Sequence, residues 1–168
     1  MNRLMIQKNR NDFSLHIALI RPEIPQNTGN IGRLSLGIGA CLHLIHPLGF
    51  RLDEKSVRRA GLDYWKDVAI KQHETEQAFW QWASNRRCFL FSTKGKKDFH
   101  KAAYQYGDVL VFGAESQGLS PRLLQQFGGY RIPISDSIRS LNLSNSVAIA
   151  AYTALISISK ETSEWFTL

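Results

Sequence analysis

Val109-Leu110-Val111-Phe112-Gly113-Ala114-Glu115-Ser116-Gln117-Gly118-Leu119-Ser120-Pro121 passes from an apolar tetrapeptide, through a glycine-bounded loop, into a helix-start signal. The four apolar residues predict a buried strand. Gly118 permits a left-handed turn. Ser120 at an N-cap and Pro121 at the first helical position predict a helix from there. A strand ending in such a loop and turning into a helix is the unit of an open α/β sheet, where ligands bind beyond the carboxyl ends of the strands.

Two further blocks have the same form. Asn27-Thr28-Gly29-Asn30-Ile31-Gly32-Arg33 follows the apolar run Leu15–Ile20 and predicts a helix from Thr28 or Asn30 to about Gly39. Arg139-Ser140-Leu141-Asn142-Leu143-Ser144-Asn145 follows a short strand over Tyr130–Ile134, which Pro133 places near a sheet edge or end. It leads into a helix opened by Ser144 or Asn145 and running to about Ser159. Between the blocks lie predicted strands at Cys41–Ile45, Val68–Ile70 and Cys88–Ser92, and a turn at Thr93-Lys94-Gly95. Asp53 caps a short predicted helix over Glu54–Ala60. Glu74–Ser84 carries Ala78, Phe79, Trp82 and Ala83 on one helical face. This alternation predicts an α/β fold with a largely parallel sheet and helices on both faces.

A chain of 168 residues with 43% hydrophobic content forms one domain with a proper core. Residues 1–13 are polar and basic and read as a flexible extension, leaving 14–168 as the single domain. The formal charge of +7 favours a polyanionic partner. The basic residues fall into two groups, Arg51, Lys55, Arg58, Arg59 and Arg86, Arg87, Lys94, Lys96, Lys97, Lys101. Neither Cys41 nor Cys88 has a His or Cys at a metal-ligand spacing, so neither a metal site nor a disulfide framework is expected and a reducing cytoplasm fits. No apolar run has the ~18 residues of a membrane span, so none is expected. His16, beside the first strand, reads as structural. The last helix is apolar nearly all round, through Val147, Ala148, Ile149, Ala150, Ala151, Ala154, Leu155, Ile156 and Ile158. Such a helix needs cover on most sides, and in so small a domain a homodimer interface is expected to supply it.

Gly29 and Gly32 at a helix start suit close ligand approach and anion binding, although a tight turn with a surface arginine would need the same residues. The loop around Gly113 carries one carboxylate, Glu115, which either meets a ligand or braces the loop. Ser140, Asn142, Ser144 and Asn145 are capping residues by type. A dinucleotide fingerprint is excluded: Gly37-Ile38-Gly39 has Leu42 in place of the third glycine and precedes a strand. A phosphate-binding P-loop is excluded by Leu90, five positions before Gly95-Lys96.

The three blocks in this order resemble the motifs of the SPOUT (α/β-knot) RNA methyltransferases. Arg21-Pro22-Glu23-Ile24-Pro25-Gln26-Asn27-Thr28-Gly29-Asn30 and Arg58-Arg59-Ala60-Gly61-Leu62-Asp63-Tyr64 resemble the small tRNA 2′-O-methyltransferases of the wobble nucleotide. The likeness runs from about Leu15 to Ile158. It implies a deep C-terminal trefoil knot, S-adenosylmethionine as cofactor, and the tRNA anticodon stem-loop and a second copy of the chain as partners. The wobble cytidine or uridine would be the target. The backbone around Phe91, Gly113, Ile132, Ser140 and Leu141 would grip the adenine and ribose, with Glu115 and Asn142 in the same pocket. Phe91 stands where the family more often has an aliphatic residue. Arg58 and Arg59 would meet phosphates, and Tyr152 would lie in the dimer interface near the RNA.

The resemblance makes Arg33 the catalytic residue. A 2′-hydroxyl is a poor nucleophile whose proton must leave or whose developing charge must be stabilised. Guanidinium does not deprotonate in proteins, so the expected role is to hold the 2′-oxygen or a neighbouring phosphate. Two other readings fit the same fold: methylation of another tRNA or rRNA ribose, and a non-catalytic RNA-binding module. Arg33 and the intact cofactor blocks argue against the second.

Overall fold

The computed structural model describes residues 13–51 and 64–162. Seven strands form one sheet: β1 (His16–Ile20), β2 (Cys41–Ile45), β3 (Ile70–His73), β4 (Cys88–Phe91), β5 (Lys97–Asp98), β6 (Val109–Phe112) and β7 (Tyr130–Arg131). Their order is β3-β2-β1-β6-β4-β7-β5, and every neighbouring pair is parallel. Among the described residues four α-helices cover the faces: α1 (Pro25–Gly37), α2 (Glu76–Trp82), α3 (Pro121–Phe127) and α4 (Leu143–Thr162).

Successive strand residues point to opposite faces, and both faces are buried, as a parallel sheet requires. Leu15, Ile17, Leu19, Leu42, Leu44, Leu110 and Phe112 form one core with Ile31 of α1 and Val147, Ala150, Ala151, Ala154 and Leu155 of α4. Ala18, Ile20, Ile45, Leu90, Val109 and Val111 form the other with Phe79 of α2, Ala83 and Leu123 of α3. Each fully buried Leu, Ile or Phe contributes about 1.5–3 kcal/mol, so these two layers fix the register.

Several boundaries differ from the sequence reading, each for a local reason. Helix α1 starts at Pro25, three residues before the expected Thr28, and its N-cap Ile24 has no side-chain cap. Helix α4 starts at Leu143 because Asn142, not Ser144 or Asn145, is the cap: its Oδ1 accepts from the N–H groups of Ser144 (2.9 Å) and Asn145 (3.4 Å). β7 stops at Arg131, short of Pro133, which has no N–H for a ladder. β3 lies at Ile70–His73 and not Val68–Ile70. β5 was not expected, since Lys97–Asp98 shows no apolar pattern; it pairs with β7 at the sheet edge. Ser120 caps α3 with Pro121 in its first turn, as read. The extension apart from Phe13, the Glu54–Ala60 helix, and with it Arg58 and Arg59, lie outside the described residues.

The chain lays down β1, β2 and β3 outward, returns to β4, and inserts β6 between β1 and β4. The strand order reverses there, which is where an open α/β sheet leaves a crevice beyond its carboxyl ends.

Candidate active site

That crevice is a cavity of about 500 Å³, within the range of small-molecule sites. Phe91 ends β4, Phe112 ends β6, and their rings stack 4.9 Å apart at 11°. With Ile132 and Leu141 they give the cavity apolar walls. Of the residues expected at a cofactor site, Phe91, Gly113, Glu115, Ile132, Ser140, Leu141 and Asn142 all line this one cavity. Residues from Phe91 to Asn142 therefore converge at the ends of three adjacent strands.

Gly113 is required for a reason the sequence did not reveal. A Cβ there would stand 2.1 Å from the carbonyl carbon of Gly118 and 2.3 Å from its oxygen. The loop doubles back on itself through an Ala114–Gly118 bridge, with the Gly118 N–H donating to the Ala114 carbonyl at 2.8 Å. Gly118 takes φ +66°, the left-handed turn expected of it. The bare face of Gly113 thus admits the returning backbone rather than leaving space for a ligand.

Glu115 braces the loop. Its carboxylate accepts from the N–H groups of Glu23 (2.8 Å) and Ile24 (3.2 Å) and from Asn27 Nδ2 (3.0 Å). It therefore ties down the residues that lead into α1 across about ninety residues of chain, beside the positive helix end, where a carboxylate is favoured. The clasp is reciprocal, because Glu23 accepts from the N–H and Oγ of Ser116 at 2.9 and 2.6 Å. These bonds hold the Glu23 carboxyl below its ordinary range. Asn142 joins the same network, donating to Asn27 Oδ1 at 2.9 Å while capping α4.

Arg33 stands apart from the cavity lining of its own chain. It lies about two turns into α1, because the helix starts at Pro25. Its exposed guanidinium lies 5.6 Å from the centre of the Tyr64 ring, and the Tyr64 hydroxyl donates to the Gly29 carbonyl at 3.1 Å. Gly29 and Gly32 are inside the helix rather than at its start, so the expected anion site at a helix terminus is not formed by them. A Cβ at Gly32 would meet the Trp65 ring at 2.6 Å, so this glycine seats the indole beside Tyr64. Tyr152 lies on α4 and is 44% exposed.

Sequence spacing also missed a cluster on the opposite sheet face. His16 Nδ1 lies 2.9 Å from His43 Nε2, and His43 Nδ1 lies 2.9 Å from His73 Nε2. Cys41 is close by, with ligand atoms of His16, Cys41 and His43 within 4.8 Å of one another. Strands β1, β2 and β3 bring together residues 57 positions apart. Arg86 Nη1 approaches His16 Nε2 at 3.5 Å. A guanidinium only donates, so the proton order runs from Arg86 through His16 and His43 to His73, each ring neutral. Burial, reinforced by Arg86 and Lys71, pushes His16 down to about 4. Burial and the neighbouring imidazoles and cations lower His43, and burial and Lys71 lower His73. Burial pushes the Cys41 thiol up to about 11. Among the described residues no helix is long and apolar enough to cross a membrane.

Comparison with known proteins places the site in context. The SpoU rRNA Methylase family matches residues 14–152. A tRNA (cytidine(34)-2′-O)-methyltransferase of Burkholderia pseudomallei (strain 1106a) is 45% identical over 144 residues, covering 83% of this chain and 92% of the relative. A solved structure concerned with the 2-OH methylation of C/U34 on tRNA superposes with TM-score 0.81 at 42% identity, covering 89% of this chain and 97% of the other. An AdoMet-bound rRNA methyltransferase from Sinorhizobium meliloti superposes with TM-score 0.73 at 27% identity, over 85% of this chain and 56% of the other.

Proposed function

This chain belongs to the SpoU rRNA Methylase family, and from that premise we propose that it transfers a methyl group from S-adenosylmethionine to the 2′-hydroxyl of the wobble cytidine or uridine in tRNA. The single observation that carries the reading is the convergence of the Phe91, Gly113, Ile132 and Ser140–Asn142 loops on one cavity at the strand-order reversal. High identity to the Burkholderia tRNA methyltransferase over nearly its whole length supports the wobble ribose over another RNA position.

The residues present fit the cofactor. Apolar walls at Phe91, Ile132 and Leu141 suit an adenine face, and the loop backbone offers donors and acceptors to its edge. S-adenosylmethionine, when bound, supplies an activated methyl on a sulfonium. The protein's own contribution is position and charge. The Glu115 carboxylate is engaged by three hydrogen bonds, leaving, among the described residues, Lys94 and Arg139 as the other charged side chains of the cavity lining. Both are exposed and suit an RNA phosphate. Arg33 holds the 2′-oxygen or its neighbouring phosphate and stabilises the charge that develops there.

A homodimer completes this reading. Ile149, Tyr152 and Ile156 are 39%, 44% and 38% exposed and recur at helical spacing along α4. Leu36, 39% exposed, lies on α1, which packs against α4 and carries Arg33 three residues earlier. A second copy seated on this stripe covers it and sets Arg33 at the edge of the pairing face, which accounts for its absence from the cavity of its own chain. Tyr152 then stands in the interface, and the Arg58–Arg59 segment meets tRNA phosphates. We infer that the C-terminal segment is threaded as the family knot. Support comes from β7 lying between β4 and β5 while α4 packs back on α1 and β6.

The deciding experiment maps 2′-O-methylation in tRNA from cells lacking the gene. Loss of the methyl at one or more wobble riboses, restored by the wild-type gene, is expected. Retention of every wobble methyl would overturn the tRNA assignment.

A further inference from the structure

Asn27 is 5% exposed and lies between the two cofactor loops. Its Nδ2 donates to Glu115 Oε1 at 3.0 Å, and its Oδ1 accepts from Asn142 Nδ2 at 2.9 Å. Both ends dictate the direction. Asn142 Oδ1 accepts from the Ser144 N–H and Oγ and the Asn145 N–H, so its Nδ2 faces Asn27. The Glu115 carboxylate only accepts, and it also holds the Glu23 and Ile24 N–H groups. The chain of bonds therefore runs from the N-terminus of α4 through Asn142, Asn27 and Glu115 to the N-terminus of α1. The residue in the middle must offer one donor and one acceptor at this reach. Asp offers two acceptors, Gln is one methylene longer, and Ser is too short.

We propose that Asn27 is a positioning residue for methyl transfer: its amide locks the Gly113–Gly118 loop and the Ser140–Asn142 loop to the helix that carries Arg33, so cofactor grip and guanidinium placement form one unit. The inference rests on the cavity being the cofactor site. Asn27 stands six residues before Arg33 on α1, and no other described side chain bonds both loops.

The test uses the full-length protein, S-adenosylmethionine titration and amide hydrogen exchange. In the wild type, S-adenosylmethionine slows exchange at the first turn of α1, although Arg33 and most of α1 lie outside the cavity lining. Asn27→Asp places two carboxylates in contact and weakens S-adenosylmethionine binding about ten-fold or more. It also slows single-turnover methyl transfer at saturating cofactor and abolishes the protection of α1. Asn27→Asp combined with Glu115→Gln removes the facing carboxylates and gives the new carboxylate at position 27 a donor, at the loss of the oxygen that accepts from the Ile24 N–H, so it recovers binding in part, by about three-fold or more over Asn27→Asp. A merely structural role lowers thermal stability without uncoupling cofactor binding from α1 protection. Wild-type affinity in Asn27→Asp, or no rescue by the double variant, overturns the proposal. If the single variant does not fold, absence of α1 protection in the wild type overturns it equally. Failure of the wild type to bind S-adenosylmethionine at all instead removes the cofactor reading on which it stands.

Discussion

Arg33 and Gly113 show how differently single residues reveal themselves. The role proposed for Arg33 rests on its motif; by type it is a surface arginine on a helix, and its placement over Tyr64 comes from a residue 31 positions away. Arg33→Lys keeps the charge but loses the planar fork. Single-turnover kinetics are expected to show a fall of about 10²-fold or more in methyl transfer with S-adenosylmethionine affinity unchanged. Near wild-type turnover would remove the stabilising role assigned to the guanidinium. Gly113 was legible as the glycine that follows a buried strand, but the reason for its missing side chain was not, since the atoms that exclude one belong to Gly118. Gly113→Ala pushes the returning loop away from β6. Expected outcomes are lost cofactor binding and a lower melting temperature.

At the scale of elements, the sequence marked most strands and helices but misplaced the starts of α1 and α4. Nothing between Arg21 and Asn30 announces that Glu115 holds the Glu23 and Ile24 N–H groups just ahead of α1, so the local reading chose Thr28 or Asn30. Asn142→Ala removes the cap of α4, a loss of about 1 kcal/mol, and leaves buried Asn27 Oδ1 without its donor, a further cost of about 1–3 kcal/mol. A lowered urea midpoint checks this, and an unchanged midpoint would contradict it. The histidine ladder across β1, β2 and β3 was illegible because strand pairing alone brings His16, His43 and His73 together. All three imidazoles are held below 6.5 in the folded protein, His16 at about 4. The unfolded chain therefore binds more protons than the native one below pH 6.5, and stability falls as pH drops from 6.5 through 4. Above 6.5 this contribution is fully present. Urea midpoints from pH 7.5 to 4.5 should decline across that window, and replacing His43 with Asn should flatten the decline. A flat wild-type profile would contradict the neutral ladder.

For the molecule as a whole, alternation of apolar runs and helical patterns foretold a parallel sheet covered on both faces. It did not foretell the strand order, because no residue in Val109–Phe112 encodes insertion between β1 and β4. The composition of α4 led to the expectation of a second cover, and Ile149, Tyr152 and Ile156 on α4, with Leu36 on α1, are the exposed side chains on which the proposed partner copy would sit. Sedimentation of the wild type at micromolar concentration is expected to give twice the chain mass, and Ile156→Glu is expected to give a folded monomer with greatly reduced methyl transfer. A monomeric wild type would refute the paired assembly.

Calorimetric titration of the purified wild-type protein with S-adenosylmethionine tests most directly whether the loops around Phe91, Gly113, Ile132 and Ser140 make one cofactor pocket. One saturable site per chain, abolished by Gly113→Ala, is the predicted result. Heats indistinguishable from dilution, or an equal site in the Gly113→Ala protein, would contradict it.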